Sequence, residues 1–398
     1  MARAPLHRTL LPLLMLLMLI ALPTAPAAAL SPGALPAASA LGPDLVADLD
    51  HLVEAARADT GAPGALLAVA LPNGDVYRSA RGVADLTTGT PLAPDARVRV
   101  GSITKPFVAA VALQLVQERW LLLDHSVAHW VPGLVPGGEQ ITVRQLLSHT
   151  SGVPDYLTDD LIARAHQHPD HQWTPEELVA EALRHPRLFA PGAPGRWAYS
   201  NTNYILLGLI IEQVTHHPLE QELQQRIITP LGLSGTALSP PSADPGDIAH
   251  GYGGGADRTA LNMSITWAAG GLSATVTDLT RFTQGLMWGA LLQPATLNMM
   301  LVCEPTGGAW GGADFAYGLG VMQRTLPAPG LPPEARLALG HTGLLEGYRS
   351  AMWYFPGSGV TIAAAFTREE ADPNKLVTGA LQVLAAHGTL AQPAASAP

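Results

Sequence analysis

Lysine is nearly absent from this 398-residue chain: it occurs at Lys105 and Lys375, and the other 20 of its 22 basic residues are arginine. Arginine keeps its proton at any working pH, whereas a buried lysine can release one. Cysteine is scarcer still. Cys303 stands alone, which excludes an internal disulfide, and nothing around it looks like a Cys/His catalytic pair, so a packed core thiol is expected. Charged residues make up only 14% of the chain and lean acidic, with a net charge of −10 and no basic run. That balance speaks against nucleic acid as a partner. The chain is 47% hydrophobic, with 40 Gly and 35 Pro, as suits a packed, loop-rich enzyme of one large domain or two moderate ones.

A long membrane-spanning run is also missing. Leu10–Leu22, broken by Pro12, falls short of the roughly 20 residues that cross a bilayer. It follows Arg3 and Arg8 and precedes Ala27-Ala28-Ala29, so residues 1–29 read as a cleaved secretory signal peptide. No cysteine follows to carry a lipid. A secreted, periplasmic or cell-envelope bacterial protein is expected, with no stable membrane span after cleavage. Residues 30–43 read as an Ala/Pro/Ser linker and 388–398 as a small-residue tail.

Between them the pattern alternates in kind. Asp44–Arg57 has helical apolar spacing. Gly64–Leu71 and Val76–Gly82 read as strands around the turn Pro72-Asn73-Gly74-Asp75. Residues from about 111 to 261 read as helices and loops: Thr142–Leu147 capped by Thr142, a start at Thr174-Pro175-Glu176-Glu177, Asn203–Val214, and Leu219–Ile228. Thr277–Met287 is an amphipathic helix with Thr277 as its expected cap. Tyr317–Gln323, Tyr348–Tyr354 and Val360–Thr367 are strand-like, and Leu376–Ala386 closes the chain as a helix. An antiparallel sheet completed by both chain ends, flanked by helices and carrying an inserted, mainly helical subdomain, is the α/β (α+β) architecture expected for residues 44–387.

Three short patterns carry the chemistry. Ser102 and Lys105, three apart at a helix start, emerge on one face. A serine hydroxyl needs a base within reach, and a lysine of lowered pKa can serve. Unpaired N–H groups of the opening turn suit an oxyanion. An N-capped helix with a solvated lysine would read the same way. Tyr199-Ser200-Asn201 approaches a second helix. A tyrosine beside an ammonium can have its pKa lowered and act as acid or base, and Asn201 could fix a substrate amide; helix capping with a packed tyrosine is the plain alternative. His341-Thr342-Gly343 lies on a glycine-containing strand that a substrate backbone could approach, both polar side chains facing the site, although an isolated histidine is often structural. The run His166-Gln167-His168-Pro169-Asp170-His171 lacks ligand spacing, so no metal and no cofactor are expected.

In this order the three patterns resemble those of the serine β-lactamase and penicillin-binding family. Tyr-x-Asn is similar to the class C branch, and His-Thr-Gly to its secreted D-alanyl-D-alanine carboxypeptidases. Leu146-Leu147-Ser148-His149-Thr150-Ser151-Gly152 and Ala268-Ala269-Gly270-Gly271-Leu272 are similar to family segments. The resemblance implies a β-lactamase/transpeptidase-like fold and an acyl-enzyme on Ser102. Lys105 and Tyr199 would handle protons, and Asn201 would hold the substrate amide. His341, Thr342 and Gly343 would form the opposite wall, the N–H groups of Ser102 and Leu344 the oxyanion hole, and Trp267 either a pocket wall or packing. Two departures stand out. Leu344 occupies the place where the carboxypeptidase pattern has a hydroxyl residue, and neither Arg324 nor Arg336 aligns securely as a carboxylate-binding arginine. A carboxypeptidase-like hydrolase of peptidoglycan peptides that binds penicillin is therefore expected. A class C-type β-lactamase, or an esterase, amidase or D-aminopeptidase, is the alternative of like mechanism, and a non-catalytic peptidoglycan- or β-lactam-binding protein the alternative of another class.

Overall fold

The first and last strands of the chain lie side by side. In the computed structural model, which describes residues 41–238, 248–308, 312 and 314–390, the strands are β1 (Gly64–Ala70), β2 (Val76–Asp85), β3 (Thr90–Pro91), β4 (Val98–Arg99), β5 (Ala237–Leu238), β6 (Tyr252–Gly253), β7 (Ala256–Asp257), β8 (Leu272–Ala274), β9 (Glu304–Pro305), β10 (Ala316–Tyr317), β11 (Met322–Thr325), β12 (Leu337–Leu345), β13 (Tyr348–Phe355) and β14 (Val360–Phe366). The main sheet is antiparallel in the order β3-β2-β1-β14-β13-β12-β11-β10-β9, with Ala65 of β1 opposite Phe366 of β14. A small sheet, β4-β8-β5, stands apart from it.

The helices that bear on the site are α1 (Pro43–Thr60), α2 (Thr104–Gln117), α3 (Val143–Leu147), α4 (Asp159–Gln167), α5 (Pro175–Ala182), α6 (Thr202–Thr215), α7 (Leu219–Leu223), α8 (Trp267–Gly270), α9 (Val276–Met287) and α10 (Pro373–Ala386). β1 and β14 are buried on both faces, which explains their unbroken apolar sequence. Alternate side chains serve different layers. Leu67, Val69, Ile362 and Ala364 pack with Leu49 of α1 and Leu381 of α10, while Leu66, Ala68, Ala363 and Ala365 join Phe107 of α2, Tyr204 of α6 and Phe282 of α9. The site lies at the edge of this second layer.

Capping boxes start α3 at Thr142 with Gln145 and α5 at Thr174 with Glu177. Three expectations are corrected. The cap of α9 is Thr275, which accepts from Asp278 N, because the helix starts before Thr277. The segment Tyr317–Gln323 is two strands of a hairpin, since Gly318–Val321 turns the chain back on itself. The helix expected over Leu219–Ile228 passes from α7 into a π-helical segment, Gln224–Ile228. β5, β6 and β7, two residues each, fall inside the segment read as helical; strands that short leave no alternation to detect. The signal peptide, the linker through residue 40 and the tail from residue 391 lie outside the described residues. Among the described residues no helix is long and apolar enough to cross a membrane.

Candidate active site

β4 delivers the chain to a 3-10 turn, Gly101–Ile103, that runs into α2. Ser102 sits on this turn, and Lys105 follows in the first turn of a helix buried along most of its length. Two glycines let β12 come against the turn. Gly101 has φ +53°, and a Cβ there would lie 2.6 Å from Leu344 O. A Cβ on Gly343 would collide with Val100 O. The peptide of Leu344 therefore lies beside the nucleophile turn.

Lys105 is fully buried. Its Nζ is 3.1 Å from Ser102 Oγ, 2.8 Å from Asn201 Oδ1 and 2.7 Å from Ala269 O. Burial pushes its pKa down to about 7, against the opposing pull of Asp155. A neutral amine has two N–H bonds and one lone pair. Asn201 Oδ1 and Ala269 O can only accept, so they take both N–H groups. The lone pair is left for the Ser102 hydroxyl, which donates to it. This is the arrangement that a nucleophile and its base require.

Asn201 precedes α6 but makes no capping hydrogen bond. Its amide is engaged on both sides: Oδ1 faces Lys105, and Nδ2 donates to Asp155 Oδ2 at 2.9 Å. Ser200 and Thr202 donate to Pro154 O, which ties the segment to the loop that carries Asp155. Tyr199 lines the cleft beside Ser102, and the Lys105 Nζ stands 4.8 Å from its ring centroid. The lowered phenol pKa expected from the sequence is not found. Burial dominates and holds the Tyr199 phenol well above its ordinary value, so it carries its proton into the site.

His341 and Thr342, expected to face the site together, are neighbours on β12 and point to opposite sides. Thr342 lines the cleft. His341 is fully buried behind it, with Nε2 3.0 Å from the Tyr317 hydroxyl and Nδ1 2.6 Å from Thr342 O. Burial, aided by Lys105, pushes its pKa down to about 3. The imidazole is neutral, with Nδ1–H donating to the carbonyl and Nε2 accepting from Tyr317. Gly343 shapes the approach of β12 rather than contacting the cavity. Trp267 does not wall the pocket either: its backbone has φ +32°, and its ring packs against Gly208 of α6, leaving Ala269 and Gly270 at the surface of the cleft.

The cleft holds about 570 Å³. Ser102, Tyr199, Asn201, Thr342 and Leu344 meet there, and Tyr156, Leu157, Ile162, Leu261 and Ile265 give it an apolar flank. One end is charged, with Glu346, Arg349, Glu369 and Glu370. Arg324 and Arg336 are not among its lining residues. Arg349 is, and its Nε donates to Glu369 O at 2.8 Å. Arg349 and Asp155 lie outside the three sequence patterns. Asp155 lies just beyond the Leu146–Gly152 segment, an acid next to proline in an apolar stretch, and that was the available signal. His166, at the end of α4, reaches Glu346 at 2.8 Å. Among the described residues no three His, Cys, Asp or Glu side chains converge as a metal site.

Comparison with known proteins finds relatives along most of the chain. A family model described as Beta-lactamase matches residues 49–387. The structure of a D-stereospecific amidohydrolase from Streptomyces sp. superposes with a TM-score of 0.73 at 35% identity, covering 83% of this chain and 97% of the other. Esterase EstB of Burkholderia gladioli is 32% identical over 52% of this chain and 55% of its own length, so the match spans about half of that relative. Penicillin-binding protein 4* of Bacillus subtilis is 25% identical over 76% of this chain and 68% of its own.

Proposed function

The chain belongs to the Beta-lactamase family and is a serine hydrolase, and from that premise we propose that it cleaves amide or ester bonds of apolar acyl groups through an acyl-enzyme on Ser102. The observation that carries this reading is the hydrogen bonding of Lys105. With both N–H groups engaged, its lone pair has one polar neighbour left, the Ser102 hydroxyl. As Ser102 Oγ attacks the carbonyl, its proton passes to Lys105 Nζ. Charge developing on the carbonyl oxygen meets the N–H groups of Ser102 and Leu344. Tyr199, still protonated, gives its proton to the leaving group and takes up the one on Lys105 Nζ, so the amine is neutral again. Water then attacks the ester with Lys105 again the base; the bond from Ser102 Oγ to the acyl carbon breaks, Oγ takes the proton back from Lys105, and the acid leaves.

For the substrate, the cleft favours a neutral or cationic group over a free carboxylate. Its charged end has three carboxylates against Arg349. This supports a D-amino-acid amide or peptide with a free amino group, as the likeness to a D-stereospecific amidohydrolase also suggests. Carboxypeptidase action on peptides ending in D-Ala-D-Ala is a second reading, favoured by Arg349 and by the likeness to a penicillin-binding protein. Hydrolysis rates on D-phenylalanine amide, on a D-Ala-D-Ala peptide and on benzylpenicillin separate the two, with intact-protein mass reporting any adduct. Fastest turnover of the amide supports the first reading. Fastest release of D-alanine, with a stable penicillin adduct, overturns it in favour of the second. Turnover that survives Ser102→Ala removes both. Export belongs to the same reading: an N-terminus beginning after residue 29 in protein recovered outside the cytoplasm supports it, and an unprocessed cytoplasmic chain counts against it.

A further inference from the structure

Asn201 can present either end of its amide to Lys105, and the two ends have opposite consequences. With oxygen toward the lysine, the amide accepts an N–H and leaves the lone pair for Ser102. With nitrogen toward it, two donors face each other and the lone pair is drawn away from the serine. Something must fix the choice, and Asp155 is placed to do so. Its Oδ2 accepts from Asn201 Nδ2 at 2.9 Å and its Oδ1 from Asn201 N at 3.1 Å. Leu157 N also donates to Oδ1, at 3.2 Å. An ionised carboxylate only accepts, so the Asn201 nitrogen is held toward Asp155 and the oxygen is left facing Lys105.

We propose that Asp155 is a positioning residue for acylation: it fixes the Asn201 amide so that its oxygen takes a Lys105 N–H and the lysine lone pair points at Ser102. The proposal rests on the reading of Lys105 as the base. Three N–H donors on one carboxylate favour its ionised form, although burial raises its pKa. The other groups around Lys105 carry no charge near neutral pH. Burial holds His149 and His341 below their ordinary values and Tyr199 and Tyr204 above theirs. Tyr156, beside Asp155, is likewise held up by burial. Asp155 is thus the charge that favours the protonated lysine, and removing it lowers the pH at which Lys105 becomes a base.

The test uses the full chain, p-nitrophenyl acetate as probe and kcat/KM from pH 5 to 9. In Asp155→Asn either end of Asn201 can face the lysine. A loss of about 10- to 100-fold is expected, carried by kcat rather than KM, as for a displaced catalytic group. The acid limb moves to lower pH. The exchange Asp155→Asn with Asn201→Asp again places an oxygen at Lys105, so it recovers part of the lost rate and moves the acid limb above that of the wild type. Unchanged kcat/KM in Asp155→Asn overturns the proposal. So does a loss with an unmoved acid limb that the exchange does not recover. Should the single variant fail to fold, the acid limb of the exchange variant decides. Lys105→Met separates this proposal from the reading beneath it. If that variant keeps its rate, the base assignment fails and this proposal with it. If it loses its rate while Asp155→Asn does not, only the role of Asp155 fails.

Discussion

The two walls of the cleft are built on different principles. The helical wall carries its chemistry in side chains: Ser102, Lys105, Asn201 and Asp155 form one hydrogen-bonded chain in which each polar atom constrains the next. The β12 wall works through its backbone and shape. Its histidine is turned away and neutral, Leu344 is 56% exposed on the rim, and Gly343 matters for the side chain it lacks. A proton-transfer pair needs fixed geometry and little water, which a buried helix start supplies; an oxyanion needs peptide N–H groups, which a strand edge supplies.

Substitutions should expose that asymmetry. The largest losses belong to the helical wall: Ser102→Ala and Lys105→Ala should each reduce kcat/KM at least about 10³-fold, with circular dichroism checking that the fold survives. Retention of even a tenth of the rate in either would break the comparison. On the strand wall the largest effect should come from Gly343→Ala, because β12 must withdraw from Val100. A misplacement of this kind costs about 10²-fold in kcat/KM, and a wild-type rate would mean that the close approach is not needed.

A pH series sharpens the contrast further. Lys105 must be neutral to act, so kcat/KM should fall about tenfold per unit below a midpoint near 7; a midpoint near 10 would point to an ordinary solvated lysine. His341 should register in stability instead. Its pKa is about 3 in the folded state and about 6.5 in the unfolded chain. Between those values the unfolded chain binds the extra proton, so stability is complete above about pH 6.5 and is lost as pH falls toward 3. The urea midpoint should decline over that range, and less so in His341→Gln. The smallest effect is expected for Leu344→Ser, an exposed rim residue whose peptide N–H survives. Less than about a threefold change on an apolar ester corresponds to the half kcal/mol typical of such positions, and a larger loss would give its side chain a part in acyl recognition.

Much of this was legible in residue patterns. A chain with two lysines drew attention to Lys105, and the order of Ser102, Tyr199 and His341 pointed to the family. The strands β1 and β14 were visible because their apolar runs are unbroken, and Thr142 and Thr174 because caps are local. The hairpin at Gly318–Val321 and the short strands β5 to β7 were not, because two-residue strands have no period. Trp267 stayed open between wall and packing, and His341 was expected to face the site, because facing direction depends on what packs against the backbone. Arg349 and Asp155 were missed because neither lies within a recognisable triplet.

By itself the sequence determined which residue types stand three apart at a helix start, which runs are apolar, and hence the fold family and the serine proposed as nucleophile. Tertiary structure alone decided that Lys105 is dry enough to lose its proton, that Tyr199 keeps its own, that His341 turns away, and that Asn201 shows its oxygen to the lysine. Each of those depends on burial and on partners distant in sequence, such as Ala269, Asp155 and Tyr317. Desolvation and hydrogen-bond direction exist only once the chain has folded around them.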